Sequence, residues 1–85
     1  MPRALISVST TVPEDRRDAY LSIASAQQRK VAAAGGNYWL FENAEKPGQF
    51  EMYFEAPDRE TLERVARHVG SGLEQGPIYV EVKLN

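Results

Sequence analysis

The sequence predicts an α+β domain in which four strands and two helices follow one another in the order βαββαβ. Four short segments are rich in β-branched or aromatic residues, as strands are. Two longer segments contain no glycine or proline and are rich in charged residues and good helix formers. Glycine or proline stands at most of the boundaries between these segments. A chain of 85 residues is expected to form one domain, residues 1–85, around one modest core.

The first part of the chain is predicted to form a strand and then a long helix. Residues 3–12 alternate Ala4, Ile6 and Val8 with a second set of side chains, which predicts the first strand. Residues 14–34 predict the helix, because their acidic first turn suits the positive end of a helix dipole and a glycine pair follows them. Helical spacing places five side chains on its buried face: Tyr20, Ile23, Ala24, Val31 and Ala34.

The middle of the chain is predicted to form an aromatic hairpin. Residues 37–43 and 49–56 are dense in aromatic residues, and the five residues between them, 44–48, contain a Pro-Gly pair suited to a turn. Alternation along the first of these strands places one large apolar pair on each side of the sheet. The pairs are Tyr38 with Leu40, and Trp39 with Phe41.

The last part of the chain predicts a second helix and a final strand. Residues 58–69 form the helix, with Asp58 as its N-cap and Gly70 as its stop. Residues 70–77 are predicted to be a loop and residues 77–84 a strand. The apolar residues of that strand alternate with Tyr79, Glu81 and Lys83; they are Ile78, Val80, Val82 and Leu84.

This order of elements predicts the ferredoxin-like arrangement, a four-stranded antiparallel sheet with two helices on one face. In a monomer the other face is expected to be polar, but the hairpin places a large aromatic pair there in either register. We therefore expect a homodimer, or a higher homo-oligomer, that forms through this face. In the alternative, Trp39 and Phe41 join the core beneath the helices. Tyr38, Leu40 and Tyr53 are then partly exposed.

Composition excludes several classes of protein. Ten basic and 12 acidic residues give a net charge of −2, whereas nucleic-acid binding requires an excess of basic residues. The sequence has no cysteine and one histidine, which leaves no basis for a disulfide, a thiolate or a typical metal site. No apolar run approaches the roughly 20 residues that span a bilayer, and we expect no secretory signal before the first strand. We expect a cytoplasmic protein with no metal, nucleic-acid or membrane partner.

The segment GNYWLFENAEKPGQFEMYFEAPDRETLERVARH, residues 36–68, combines a glycine, a strand, a Pro-Gly turn, a Phe-led strand, an acidic cap and a helix. It resembles the central block of the antibiotic-biosynthesis monooxygenase family of dimeric α+β barrel proteins. With the later segment PIYVEV, the chain is also similar to muconolactone-isomerase-like proteins. The first resemblance implies oxygenation of a small aromatic or phenolic substrate without a cofactor, in which the substrate anion itself reacts with oxygen.

Two positions depart from that family's pattern. The family often ends the third strand with an acidic-basic-Trp triplet, where this chain has residues 54–56 as Phe-Glu-Ala. It often carries a histidine in the following helix, where this chain has Val65. Haem-degrading relatives use a helix histidine with a strand asparagine and a tryptophan. Here His68 lies nearly a turn later and Ser7 or Ser9 occupies the strand, so haem degradation is not expected.

Six residues are candidates for a functional site in a pocket between sheet and helices. His68 and Tyr53 are the candidate catalytic residues, because an imidazole exchanges protons near neutral pH and a phenol can orient a polar substrate. The candidate substrate contacts are Trp39, Tyr38, Tyr20 and Gln27. The alternatives are structural. His68 is then a surface residue near a helix end, the aromatic rings pack the core, and Gln27 is partly exposed at the end of the apolar face of the first helix.

Three carboxylates, Glu51, Glu55 and Glu81, follow one strand parity and are expected to pair across a dimer interface or to stay solvated. Nothing in the sequence selects two of them for acid–base catalysis. Three functions therefore remain open: a cofactor-free monooxygenase, an isomerase of the muconolactone type, and a non-catalytic ligand-binding or assembly module.

Overall fold

The chain folds into a four-stranded antiparallel sheet with both helices packed against one face. The computed structural model describes residues 2–70 and 76–84, so most of the predicted loop 70–77 lies outside the described residues. The elements in chain order are β1 (Ala4–Thr11), a 3-10 turn (Glu14–Arg16), α1 (Arg17–Ala33), β2 (Asn37–Glu42), β3 (Gln49–Ala56), α2 (Arg59–Val69) and β4 (Ile78–Val80). Among the described helices, neither combines the length and the apolar character needed to cross a membrane.

The strands lie in the order β2-β3-β1-β4, and every neighbouring pair is antiparallel. β1 is therefore central and pairs with β3 along its whole length. One row of side chains crosses all four strands on the face beneath the helices: Tyr38, Phe54, Ile6 and Ile78. This confirms the ferredoxin-like arrangement predicted from the order of elements.

The core lies between this face and the two helices. Because successive strand residues point to opposite faces, every second residue of β3 is buried, as are Ala4 and Ile6 of β1, while α2 contributes residues at helical spacing. Gly36 lies against the ring of Phe54, and a Cβ there would stand 2.7 Å from the ring. The largest fully buried side chains are Phe54, Ile6, Leu62, Val31 and Val65.

The predicted helix ends are correct for α2 and partly wrong for α1. The side chain of Asp58 accepts a hydrogen bond of 2.8 Å from the backbone N–H of Thr61, and Gly70 ends α2 at a φ of +68°. Residues 14–16 form a 3-10 turn, so α1 begins three residues later than predicted. Ile23, expected on the buried face of α1, is 58% exposed. It lies roughly 90° from the centre of the stripe that buries Ala24 and Val31.

The last strand is shorter than predicted. β4 comprises residues 78–80, and the backbone N–H of Glu81 makes one more bond, of 2.8 Å, to the carbonyl of Arg3. Beyond this point the chain runs past the start of β1, and none of the four described strands lies beside it. Val82 and Leu84, predicted as alternate strand residues, are 75% and 90% exposed.

Candidate functional site

The sheet surface that the helices leave uncovered, here called the open face, is rich in aromatic residues. Strand register and alternation place twelve side chains on it: Leu5, Ser7, Ser9, Thr11, Asn37, Trp39, Phe41, Gln49, Glu51, Tyr53, Glu55 and Tyr79. Trp39 is 43% exposed and Phe41 58% exposed. The alternative that placed these two residues in the helix-side core is therefore wrong.

The opposite side of β2 explains this orientation. Tyr38 is buried, and its hydroxyl donates a 3.0 Å hydrogen bond to Oε1 of Gln27 on α1. Its carbonyl accepts a 3.1 Å bond from Nε2 of Gln28. These two bonds hold the Tyr38 side of β2 against the helix, which leaves Trp39 and Phe41 on the open face.

A carboxylate lies on the open face near the β2–β3 hairpin, beside two aromatic rings. Glu51 is half-buried and accepts hydrogen bonds from the hydroxyls of Ser7 (3.5 Å) and Ser9. Phe41 is the cross-strand partner of Glu51, and its ring centroid lies 5.8 Å from that of Tyr53 in an edge-to-face arrangement. The fold thus brings polar and aromatic groups together here, although no sequence pattern distinguishes Glu51 from the other acidic residues of the strands.

A cleft of about 710 Å³ opens at the end of this face where β2 and β3 are joined. We call it the hairpin cleft. It is not the pocket expected between sheet and helices. The residues that line it are of aromatic, acidic, hydroxyl and amide types: Ser9, Thr10, Thr11, Phe41, Glu42, Asn43, Gln49, Phe50, Glu51 and Tyr53. Such a cleft can hold a flat ring and satisfy a polar group on it.

An ion pair lies beside the hairpin cleft and links it to α1. Glu42 pairs with Arg17 at the start of α1 and accepts a 3.0 Å bond from the N–H of Gly48. The hydrogen bond from Arg17, and after it the bond from Gly48, lowers the pKa of Glu42 below its usual value. The Arg17 guanidinium also lies 5.4 Å from the centroid of the Phe50 ring. The helix and the hairpin are thereby joined where the cleft opens.

The other end of the open face, away from the β2–β3 hairpin, carries a network of charged side chains. Arg3 forms 2.9 Å ion pairs with both Glu55 and Glu81, and Asn37 donates a 3.0 Å bond to Glu55. The hydrogen bond from Arg3 lowers the pKa of Glu81. These two carboxylates therefore have a partner within the chain, where the sequence led us to expect pairing across a dimer or solvation.

The six candidate residues fall into three places. Trp39 and Tyr53 lie together on the open face as a cross-strand pair. Tyr20 and Gln27 on α1 and Tyr38 on β2 lie between the helix and the sheet, where the Tyr20 ring centroid is 4.9 Å from that of Phe50. The amide oxygen of Gln27 has its partner in Tyr38.

His68 is exposed in the last turn of α2, so the sheet separates it from Tyr53. Across residues 2–70 and 76–84, no three acidic, His or Cys side chains are grouped as a metal ion would require.

Burial raises the pKa of Tyr38 to about 12 and also raises that of Tyr20. In the unfolded chain a tyrosine ionises near pH 10. The stability that neutral Tyr38 provides is therefore complete below about pH 10 and is lost as the pH rises towards about 12.

We expect Tyr38→Phe to lower the free energy of unfolding by about 1 kcal/mol near neutral pH through the lost hydrogen bond. We also expect it to flatten the decline above about pH 10.

Urea unfolding of wild type and Tyr38→Phe across this pH range tests this expectation. Tyr79→Phe is the matched control, because Tyr79 is 55% exposed. Equal slopes for wild type and Tyr38→Phe would contradict it.

Solved structures share this fold. An antibiotic biosynthesis monooxygenase structure has a TM-score of 0.72 at 18% identity, covering 100% of both chains. A conserved protein from Methanosarcina mazei Go1 has a TM-score of 0.76 at 14% identity, covering 99% of this chain and 95% of its own. A candidate antibiotic biosynthesis monooxygenase from Nitrosomonas europaea has a TM-score of 0.70 at 12% identity, covering 93% of this chain and 86% of its own.

The chain therefore has the ferredoxin-like α+β fold of antibiotic biosynthesis monooxygenase structures, as its sequence led us to expect. At identities of 12–18%, this likeness defines the fold alone. No protein-family model and no curated protein sequence matches the chain significantly.

Proposed function

We propose that this chain is a cytoplasmic homodimeric α+β barrel protein that binds a small phenolic molecule and oxygenates it with dioxygen, using no cofactor. The observation that carries this proposal is the aromatic group on the open face, formed by Trp39, Phe41 and Tyr53 beside the hairpin cleft.

The dimer is inferred from exposure. Trp39, Phe41 and Tyr79 lie on one sheet surface and each is at least 43% exposed. On β2 and β3 the exposed rings of Trp39 and Phe41 adjoin Tyr53, and apolar surface of this kind usually marks an interface or a ligand groove. Two open faces packed against each other would cover these rings and remove the hairpin cleft from bulk water. An 85-residue chain also gains from the added burial, since its own core is small.

The ligand is inferred from the walls of the cleft. Its volume of about 710 Å³ lies within the range of sites that hold small molecules. Phe41 and Tyr53 offer ring faces and edges for a flat aromatic ligand, and the Tyr53 hydroxyl can hold a ligand hydroxyl in place. In this proposal Tyr20, Gln27 and Tyr38 support β2 from the helix side of the sheet. His68, on α2, takes no part.

A dihydroxyaromatic substrate can supply all the electrons for this reaction. One atom of dioxygen replaces a ring hydrogen as a hydroxyl, and the dihydroxy ring is oxidised to a quinone. The other oxygen atom leaves as water with two hydrogens from the substrate, so the products are a hydroxyquinone and water. The chain's contribution is to exclude water and to hold the ring in one orientation.

Oxygen uptake tests the activity. Protein freed of flavin and treated with a chelator is incubated with a panel of dihydroxynaphthalenes in isotopically labelled dioxygen. We expect one labelled atom in the product and one in water. We expect Tyr53→Phe to lower the rate about tenfold, the loss of one positioned hydrogen bond. Tyr79→Phe, on the same face but outside the hairpin cleft, should leave the rate unchanged.

The remaining outcomes separate the alternatives. Binding without oxygen uptake would favour a non-catalytic ligand-binding module, and rearrangement without oxygen uptake would favour an isomerase. If no member of the panel binds and none reacts, the proposed function is wrong.

A further inference from the structure

The carboxylates around the open face differ in how their charge is balanced. Glu55 and Glu81 each form a 2.9 Å ion pair with Arg3, and Glu42 pairs with Arg17. Glu51 lies among uncharged neighbours, with hydroxyl donors from Ser7 and Ser9. Within the described part of the chain it makes no ion pair. Glu51 is thus an unbalanced, half-buried negative charge in the wall of the hairpin cleft.

The rest of the cleft wall does not compensate this charge. The lining residues include no Lys, Arg or His, and the other acidic residue among them, Glu42, is already paired with Arg17. An ionised carboxylate accepts about four hydrogen bonds, so the two serine hydroxyls leave acceptor sites on Glu51. A ligand beside Phe41 and Tyr53 therefore meets a hydrogen-bond acceptor with a negative charge.

From this arrangement we infer that Glu51 determines ligand choice: the hairpin cleft takes aromatic molecules that present a neutral hydroxyl donor and rejects those that carry a carboxylate. This inference rests on the proposed function, because it assumes that a phenolic ligand occupies the cleft. A ligand hydroxyl donates to Glu51, and hydrogen bonds to a charged group are stronger than those between neutral groups. A ligand carboxylate is repelled by Glu51 and finds no cation in the cleft wall.

Calorimetric titration with three matched ligands near neutral pH tests this inference. The first is a hydroxynaphthoate whose hydroxyl and carboxylate lie on opposite rings. The second is its methyl ester, which has nearly the same shape without the charge. The third is the methoxy derivative of that ester, which has no donor. We expect the hydroxy ester to bind about tenfold more tightly than either of the others, a difference of about 1.4 kcal/mol.

Two variants test whether Glu51 causes the difference in affinity between the ester and the acid. We expect Glu51→Gln to reduce the ester–acid difference to about threefold or less. Glu55→Gln is the matched control, because it removes a charge from the same sheet face, outside the cleft, and should leave the difference near tenfold. Circular dichroism checks that both variants are folded. If either variant does not fold, the titration of the wild-type protein with the three ligands still tests the inference.

The outcomes are distinct. Equal binding of ester and acid to the wild type would overturn the inference and leave the proposed function standing. An unchanged difference in folded Glu51→Gln would also overturn it. If none of the three ligands binds, the inference fails, while the proposed function is decided by the dihydroxynaphthalene panel.

Discussion

Phe54→Ala is expected to lower the free energy of unfolding by about 3–5 kcal/mol, a large part of what a domain of this size has. Phe54 is fully buried in the row that crosses the sheet, between Ile6 on β1 and Tyr38 on β2. The ring also fills the space that Gly36 leaves open. Removing it leaves a cavity in contact with both neighbouring strands, and the rigid pairing of β1 with β3 limits how far the cavity can collapse.

Urea unfolding followed by Trp39 fluorescence and circular dichroism measures this loss. Two protein concentrations are compared, because association would add a concentration-dependent contribution to stability. Ile23→Ala is the control, since Ile23 is apolar but 58% exposed, and we expect it to change the free energy by less than about 1 kcal/mol. A loss below about 1 kcal/mol for Phe54→Ala would contradict the description of the core.

Phe41→Asp is expected to convert the proposed dimer into folded monomers. Phe41 is 58% exposed in the single chain and would be covered when two open faces pack together. A carboxylate buried there without a partner is costly, and two-fold symmetry places it in the interface twice. We expect the dimer dissociation constant to rise at least about 100-fold, which corresponds to about 2.7 kcal/mol.

Sedimentation velocity over a range of concentrations measures this change. Ile23→Asp is a matched control, because the side chain has the same 58% exposure but projects from α1 on the other side of the sheet. It should leave the dimer intact. A wild-type chain that sediments as a monomer at all concentrations, or a Phe41→Asp variant that remains a dimer, would show that the open face is not the interface.

The fold could be predicted from the sequence where a signal is local. Asp58 and Gly70 mark the ends of α2 because capping depends on a few neighbouring residues, and both act as predicted. Alternation predicted the strands for the same reason. It failed after residue 80, because Val82 and Leu84 can continue a strand only if another strand lies beside them.

The site was harder to predict because its features depend on long-range contacts. β2 is apolar on both sides, so alternation could not orient Trp39; the bonds from α1 to Tyr38 indicate the orientation. Glu51 and Glu55 have the same strand parity and are both acidic. They differ only because Arg3 reaches Glu55, while Ser7 and Ser9 lie opposite and near Glu51. No spacing in the sequence carries that difference.

The central position of β1 has a consequence for how the protein is made. Its two neighbours are β3 and β4, and its pairing with β4 joins Ala4 to Val80. A nascent polypeptide can form α1 and the hairpin early, because these depend on nearby residues. One edge of β1 remains unpaired until the ribosome has translated and released residue 80. Completion of the sheet is therefore a late event that must close a loop of most of the chain, and such long-range closure slows folding.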